Sequence, residues 1–100
     1  MLTQQKIIKT IEQNKKQIRE FGVKSIALFG SYAHKSAKKK SDIDFLVEFK
    51  RGRGLFDDYI GLYHLLEDLF NKKIDLVEKK LVREELKKEI IGGKKIEAKI

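Results

Sequence analysis

The sequence predicts an α/β fold, in which helices cover a small mixed β-sheet within a single domain spanning residues 1–100. Helical and strand-like hydrophobic periods alternate along the chain, which is typical of a layered α/β structure. Only 13 residues lie between Phe29, which ends the first predicted strand, and Ile43, the first apolar residue of the second. Because a crossover between parallel strands usually needs room for a full helix, we expect a mixed sheet rather than a purely parallel one.

The composition is that of one small and highly charged domain. Of its 100 residues, 41% are hydrophobic and 38% are charged, and the formal net charge is +8. The absence of cysteine excludes disulfides and thiolate metal sites, and two well-separated histidines disfavour a zinc site. No stretch has the roughly 18 consecutive apolar residues that span a bilayer, so we expect a cytoplasmic protein with no membrane partner. The positive charge would suit a polyanion, and it is equally typical of heat-adapted surfaces.

The first half of the chain is predicted to contain one long helix and two strands. Apolar residues at helical spacing predict a helix from about Thr3 to Phe21, which Gly22 would end. The run VKSIALF, at residues 23–29, is rich in strand formers and is followed by a glycine. The run SDIDFLVEF, at residues 41–49, alternates apolar and polar side chains as a half-buried strand does.

The second half is predicted to contain two helices and a third strand. Apolar side chains cover more than half of the predicted helix from about Phe56 to Asn71, and we expect Gly61 within it to pack closely against another backbone. KKIDLVEKK, at residues 72–80, predicts the strand, and LVREELKKEII, at residues 81–91, predicts the last helix. The tail, residues 94–100, would form a short edge strand or a frayed end.

Three aspartates are the candidate metal ligands. Asp42 and Asp44 are two apart on a predicted strand, so both side chains leave one face with their Cα atoms about 6.5–7 Å apart. Asp75 alternates in the same way on the third strand, and it can join them if the two strands are neighbours. Three clustered carboxylates repel one another unless a cation such as Mg²⁺ lies among them. The sequence therefore predicts an oxygen-ligand metal site at these aspartates.

Gly30 and Ser31 are the candidate phosphate-binding residues. They follow a strand, and we expect a short helix or loop from Ser31 to about Ala37, whose first backbone N–H groups would face an anion. Gly30 permits close approach of a phosphate, and the Ser31 hydroxyl can donate to it. Phosphates here and Mg²⁺ at the aspartates would together hold a nucleoside triphosphate, and this arrangement suits displacement at its α-phosphorus with pyrophosphate leaving.

The motifs resemble those of a known family. A Gly-Ser pair at residues 30–31, ten further residues and then Asp-Ile-Asp at residues 42–44 resemble the signature of the DNA polymerase β-like nucleotidyltransferases, in particular their minimal members. The stretch from residue 54 to residue 77, which ends in IDLV, is also similar to that group. The resemblance covers about residues 20–91, with its motif core at about 23–91, and it implies a polymerase β-like nucleotidyltransferase fold.

The resemblance also implies a role for each candidate residue. Gly30 and Ser31 would contact the triphosphate of ATP. The catalytic, metal-binding residues would be Asp42, Asp44 and Asp75, which would hold two Mg²⁺ ions, and Asp75 would assist in activating the acceptor hydroxyl. Minimal members often act as antitoxins paired with a helical HEPN ribonuclease toxin, and some transfer AMP from ATP to a toxin tyrosine.

Several alternatives remain open from the sequence. An antitoxin that neutralises its partner by binding alone would keep the same fold, and homo-oligomers or hetero-oligomers are both compatible with the sequence. A small nucleic-acid-binding module has only the net charge in its favour, because no basic strand is rich in aromatic residues. His34 and Lys35 stand where many relatives carry Arg-Gly, so the base of the nucleotide is open, as is the identity of the acceptor.

Overall fold

The structure, a computed structural model, describes residues 2–100 and contains a four-stranded mixed sheet. The strands are β1 (Val23–Phe29), β2 (Ile43–Phe49), β3 (Ile74–Glu78) and β4 (Ile96–Glu97). Their order in the sheet is β3-β2-β1-β4. Strand β1 is antiparallel to both β2 and β4, whereas β2 and β3 are parallel. The predicted mixed sheet is confirmed, and the tail forms the short edge strand β4.

The chain also contains five α-helices. They are α1 (Gln4–Gln13), α2 (Lys15–Glu20), α3 (Gly30–Ala33), α4 (Phe56–Phe70) and α5 (Glu84–Ile90). A 3₁₀ turn, Lys79–Leu81, precedes α5, so the last helix starts later than residue 81, where the sequence placed it. Within residues 2–100, no helix has the length and hydrophobicity needed to cross a bilayer.

The prediction of one helix from Thr3 to Phe21 is wrong, because the helix is interrupted at Asn14. This residue has φ −112° and ψ 19°, and its side-chain Nδ2 donates to the carbonyl of Thr10 at 2.8 Å. An asparagine side chain that bonds the local backbone competes with helix propagation. The apolar stripe that suggested one long helix continues across the break, since Ile11 and Ile18 are both fully buried.

Helix α3 is also shorter than the expected segment from Ser31 to Ala37. Lys35 adopts the left-handed conformation with φ +57°, which ends the helix. The backbone N–H of Ser36 then donates to the carbonyl of Ser31 at 2.9 Å and turns the chain away.

The hydrophobic core lies between one face of the sheet and the helices. Strands and helices contribute the following fully or almost fully buried side chains: Ile7, Ile11, Ile18, Ile26, Leu28, Ile43, Phe45, Val47, Leu62, Leu66, Ile74 and Leu76. Gly61 packs against the ring of Phe21, so the expected close neighbour is a side chain and not another backbone. Because side chains alternate along a strand, the opposite face of the sheet carries Asp44, Glu48 and Asp75.

Candidate active site

The parallel pairing of β2 and β3 brings two of the candidate aspartates together. Asp44 lies directly opposite Asp75 in the register of these strands. Asp42 precedes the first residue of β2, and its charge acts on Asp44. Asp42 and Asp44 are half-buried, whereas Asp75 is exposed. The two strands are therefore neighbours, which is the condition that the predicted metal site requires, and their pairing brings Asp44 and Asp75 together, with Asp42 two residues before Asp44.

The electrostatics of this group centre on Asp44. Burial is the main cause that raises the pKa of Asp44 from 3.8 to about 6, and the charge of Asp75 and a hydrogen bond with it raise this pKa further. The charge of Asp42 acts in the same direction, and a hydrogen bond from the backbone N–H of Ser31 opposes it. A carboxylate that is partly desolvated beside like charges is unfavourable as an anion. A cation bound at this group would remove that penalty.

Gly30 places the start of α3 against the same carboxylate. Its φ is +70°, a conformation that favours glycine, and a Cβ at this position would overlap the side chain of Asp44. The Ser31 backbone N–H, one residue further, is directed at Asp44. The structure thus brings together Gly30, Ser31, Asp44 and Asp75, which the sequence predicted from separate motifs.

The two departures from the family pattern lie just beyond α3. His34 and Lys35 are both exposed, and Lys35 has φ +57°. The resemblance implies a glycine at the position of Lys35, and glycine is the residue that adopts a left-handed conformation at least cost. The chain therefore makes the left-handed turn with a lysine, which places an additional positive charge on the loop beside the candidate site.

Tyr59 lies beside the candidate site, and the sequence did not reveal this position. Its hydroxyl donates to the carbonyl of Leu76, the neighbour of Asp75, at 2.6 Å. Burial raises the pKa of Tyr59 most, and the charge of Asp75 raises it further, so the hydroxyl stays protonated and lies near that carboxylate. In the sequence Tyr59 belongs to the apolar stripe of α4. The only feature of the sequence that could have indicated this position is the hydroxyl group of Tyr59 in a stripe otherwise rich in leucine.

These residues fit Mg²⁺ held jointly with a triphosphate. Within residues 2–100, no three Asp, Glu, His or Cys side chains are already gathered as a complete metal site. The Asp44–Asp75 pair instead offers carboxylate oxygens on one side only, with Asp42 nearby. Mg²⁺ in nucleotide-dependent enzymes is typically bound by one or two carboxylates, with substrate phosphates and water completing its octahedron. The donor set and its unfavourable negative charge match that requirement.

Two solved toxin–antitoxin structures share the fold. One is a toxin–antitoxin complex with AMP-PNP, at a TM-score of 0.67 and 23% identity, covering 96% of this chain and 72% of that one. The other is a tri-AMPylated Shewanella oneidensis HEPN toxin in complex with MNT antitoxin, at a TM-score of 0.65 and 20% identity, covering 95% and 71%. At these identities the likeness is one of fold.

Three further comparisons are stronger. The protein adenylyltransferase MntA of Thermococcus cleftensis is 38% identical over 91% of this chain and 92% of its own length. A solved structure of a candidate minimal nucleotidyltransferase superposes with a TM-score of 0.78 at 26% identity, covering 93% of this chain and 94% of that one. The family model described as polymerase beta, nucleotidyltransferase, matches residues 5–99. The chain therefore belongs to the polymerase beta nucleotidyltransferase family, and it is a nucleotidyltransferase.

Proposed function

We propose that this nucleotidyltransferase transfers AMP from ATP to a tyrosine hydroxyl of a HEPN ribonuclease toxin, and that it acts as the antitoxin of that pair in the cytoplasm. The observation that carries the proposal is the register pairing of Asp44 with Asp75, with Gly30 packed against the Asp44 carboxylate. The name of the Thermococcus cleftensis relative supports adenylyl transfer to a protein. The toxin–antitoxin structures of the same fold support a toxin partner and an adenine nucleotide.

In the proposed reaction the chain first binds the nucleotide. The Ser31 hydroxyl donates to phosphate oxygens, together with those N–H groups at the start of α3 that are not directed at Asp44. Gly30 lets the backbone at this point lie directly against the Asp44 carboxylate. Asp42, Asp44 and Asp75 would hold Mg²⁺. When bound, Mg²⁺ neutralises phosphate charge and lowers the pKa of the attacking hydroxyl.

The transfer itself is a displacement at the α-phosphorus. The oxygen of the acceptor tyrosine forms the new bond to phosphorus, and the bond to the bridging oxygen breaks, so that pyrophosphate leaves with the electron pair. The proton of the tyrosine passes to a carboxylate at the site. Asp75 suits this role because it is exposed, whereas Asp44 is half-buried behind Gly30.

The test uses labelled ATP, Mg²⁺ and a HEPN ribonuclease toxin, which the proposal expects to be encoded beside this gene. The proposal predicts that the unchanged protein transfers label to the partner and that the partner then loses its ribonuclease activity. With Asp42→Asn or Asp44→Asn, the partner should remain unlabelled and keep its ribonuclease activity. A partner that is neutralised equally well by both variants, with no label transferred by the unchanged protein, would establish the binding-only antitoxin instead.

A further inference from the structure

Two loops beside the candidate active site form a concentrated basic surface, here named the lysine collar. The loop between α3 and β2 and the turn between α4 and β3 contribute its six lysines, which are Lys35, Lys38, Lys39, Lys40, Lys72 and Lys73. Five of them are exposed, and Lys72 is partly buried. The segment from Ser31 to Ser41 contains no acidic residue. The collar therefore has a single sign of charge.

Hydrogen bonds join these two loops to each other and to the site. The Lys72 ammonium donates to the backbone carbonyl of Lys39 at 2.7 Å. The N–H of Ile43, which lies between the aspartates at 42 and 44, donates to the carbonyl of Lys73 at 3.1 Å. Lys73 in turn directly precedes β3, the strand of Asp75. The collar is thus fixed next to the three carboxylates.

The charges of the collar are not neutralised by the chain itself. In the described part of the chain, none of its six ammonium groups lies within 4.0 Å of a carboxylate, whereas Lys24, Lys79, Lys80 and Lys87 each pair with a glutamate. Unpaired lysines grouped on one surface produce a positive potential that attracts anionic partners. The nearby aspartates repel such partners, so an anionic acceptor needs a counteracting attraction to reach them.

We propose that the lysine collar docks an acidic segment of the protein that carries the acceptor hydroxyl. This inference rests on the proposed function, in which the acceptor is a protein. The two loops contain neither arginine nor any Phe, Tyr or Trp, so they offer no planar guanidinium for phosphate, and the single ring of His34 is the only one on which a base could stack. Lysine is a compact charge on a flexible stem, which suits carboxylates distributed along a peptide.

Binding of fluorescent peptides tests the collar without any catalysis. The probe is a peptide with one tyrosine between two Glu-Glu-Glu runs, and the control peptide carries Gln-Gln-Gln runs instead. Binding is measured by fluorescence anisotropy without ATP, at about 50 mM and at about 300 mM salt. The acidic peptide should bind the unchanged protein and the glutamine peptide should not, with the affinity falling at the higher salt. The combined substitution Lys38→Gln, Lys39→Gln and Lys40→Gln should weaken binding about tenfold at low salt.

A matched variant separates the collar from net charge. Lys9→Gln, Lys15→Gln and Lys16→Gln remove the same charge from exposed lysines of α1 and α2, and binding should be unchanged. Equal weakening by both triple variants would overturn the proposal, as would tighter binding of an oligouridylate of equal charge. Peptide binding is measured without ATP, so it does not depend on AMP transfer. A protein that binds the acidic peptide but transfers no AMP would contradict the proposed function and still support the lysine collar.

Discussion

At the scale of single residues, the site depends on backbone conformations that few residues adopt easily. Gly30 and Lys35 both have positive φ, at +70° and +57°, and they lie on either side of the buried residues of α3. Gly30 allows the backbone to contact the Asp44 carboxylate. Lys35 ends the helix in a conformation that costs an L-residue roughly 1–2 kcal/mol. Substitution of Gly30 should therefore impair the site, whereas a glycine in place of Lys35 should relieve strain.

Gly30→Ala should abolish AMP transfer and destabilise the fold, because the new methyl group would occupy the position of the Asp44 carboxylate. Gly52→Ala is the matched control: Gly52 also has positive φ, at +79°, but a Cβ there would meet nothing within 4 Å. Both variants carry the same backbone strain of about 1 kcal/mol or more. Nucleotide transfer assays and urea unfolding compare them, and equal loss of activity in both would contradict a role for the Gly30–Asp44 contact.

Lys35→Gly should stabilise the protein, since glycine adopts the left-handed conformation without strain. The gain is expected to be about 0.5 kcal/mol, because glycine also gives the unfolded chain more freedom. The midpoint of chemical denaturation measures this difference. Lys38→Gly, at a loop position without positive φ, should be neutral or destabilising. A lower midpoint for Lys35→Gly would contradict the conformation assigned to this residue.

The pKa of Asp44 predicts a pH-dependent stability. Its folded pKa of about 6 is above the ordinary 3.8, so its protonated form favours the folded state below about pH 4, and this contribution is lost as the pH rises through 6. The asparagine of Asp44→Asn does not titrate, so the variant avoids the cost of an ionised Asp44. Its free energy of unfolding should exceed that of the unchanged protein by about 1 kcal/mol at pH 8, a value that allows for partial solvent exposure, and by little at pH 4. Urea denaturation of metal-free protein in EDTA measures the difference, and a gap independent of pH would contradict the shift.

At the scale of elements, local pattern predicted the strands well and left open which strands are neighbours. The predicted strand at residues 23–29 has the same limits as β1, because its run of strand formers is bounded by glycines. The helix break at Asn14 escaped prediction, since the apolar stripe continues across it. The spacing of Asp42 and Asp44 is local and readable, whereas the pairing of Asp44 with Asp75 arises only from the parallel contact of β2 with β3.

The attachment of α4 to β3 is tested by Tyr59→Phe. This change removes the hydroxyl that bonds the carbonyl of Leu76 but keeps the ring, so unfolding free energy should fall by only about 1 kcal/mol. Because the bonded carbonyl adjoins Asp75, the rate of AMP transfer at saturating ATP should fall, while the KM for ATP should stay unchanged. Tyr63→Phe, one helical turn away, serves as the comparison. An unchanged rate of AMP transfer for Tyr59→Phe would contradict the inference that this hydroxyl positions β3 and Asp75.

At the scale of the whole molecule, the fold separates packing from chemistry. Its radius of gyration of 12.7 Å matches the roughly 13 Å expected for a compact chain of this length, so the helices and sheet form one body. One face of the sheet is covered by helices, and the other presents the aspartates. The loop after α3 and the turn before β3 both reach the same end of the sheet, where the candidate phosphate-binding residues and the lysine collar lie close to the aspartates. The sheet, helix α3 and these two loops together carry the residues of the chain that the proposed reaction uses.

The most direct test of the account is the amount of AMP attached to the partner protein by the unchanged chain and by Asp75→Asn, measured by intact-protein mass spectrometry. Asp75 belongs to the site only through the pairing of β2 with β3, and Asp57→Asn replaces an exposed aspartate of α4 as the control. The account predicts labelling by the unchanged chain and by Asp57→Asn, and a loss of at least about a hundredfold in Asp75→Asn. Labelling by Asp75→Asn at the full rate would contradict it.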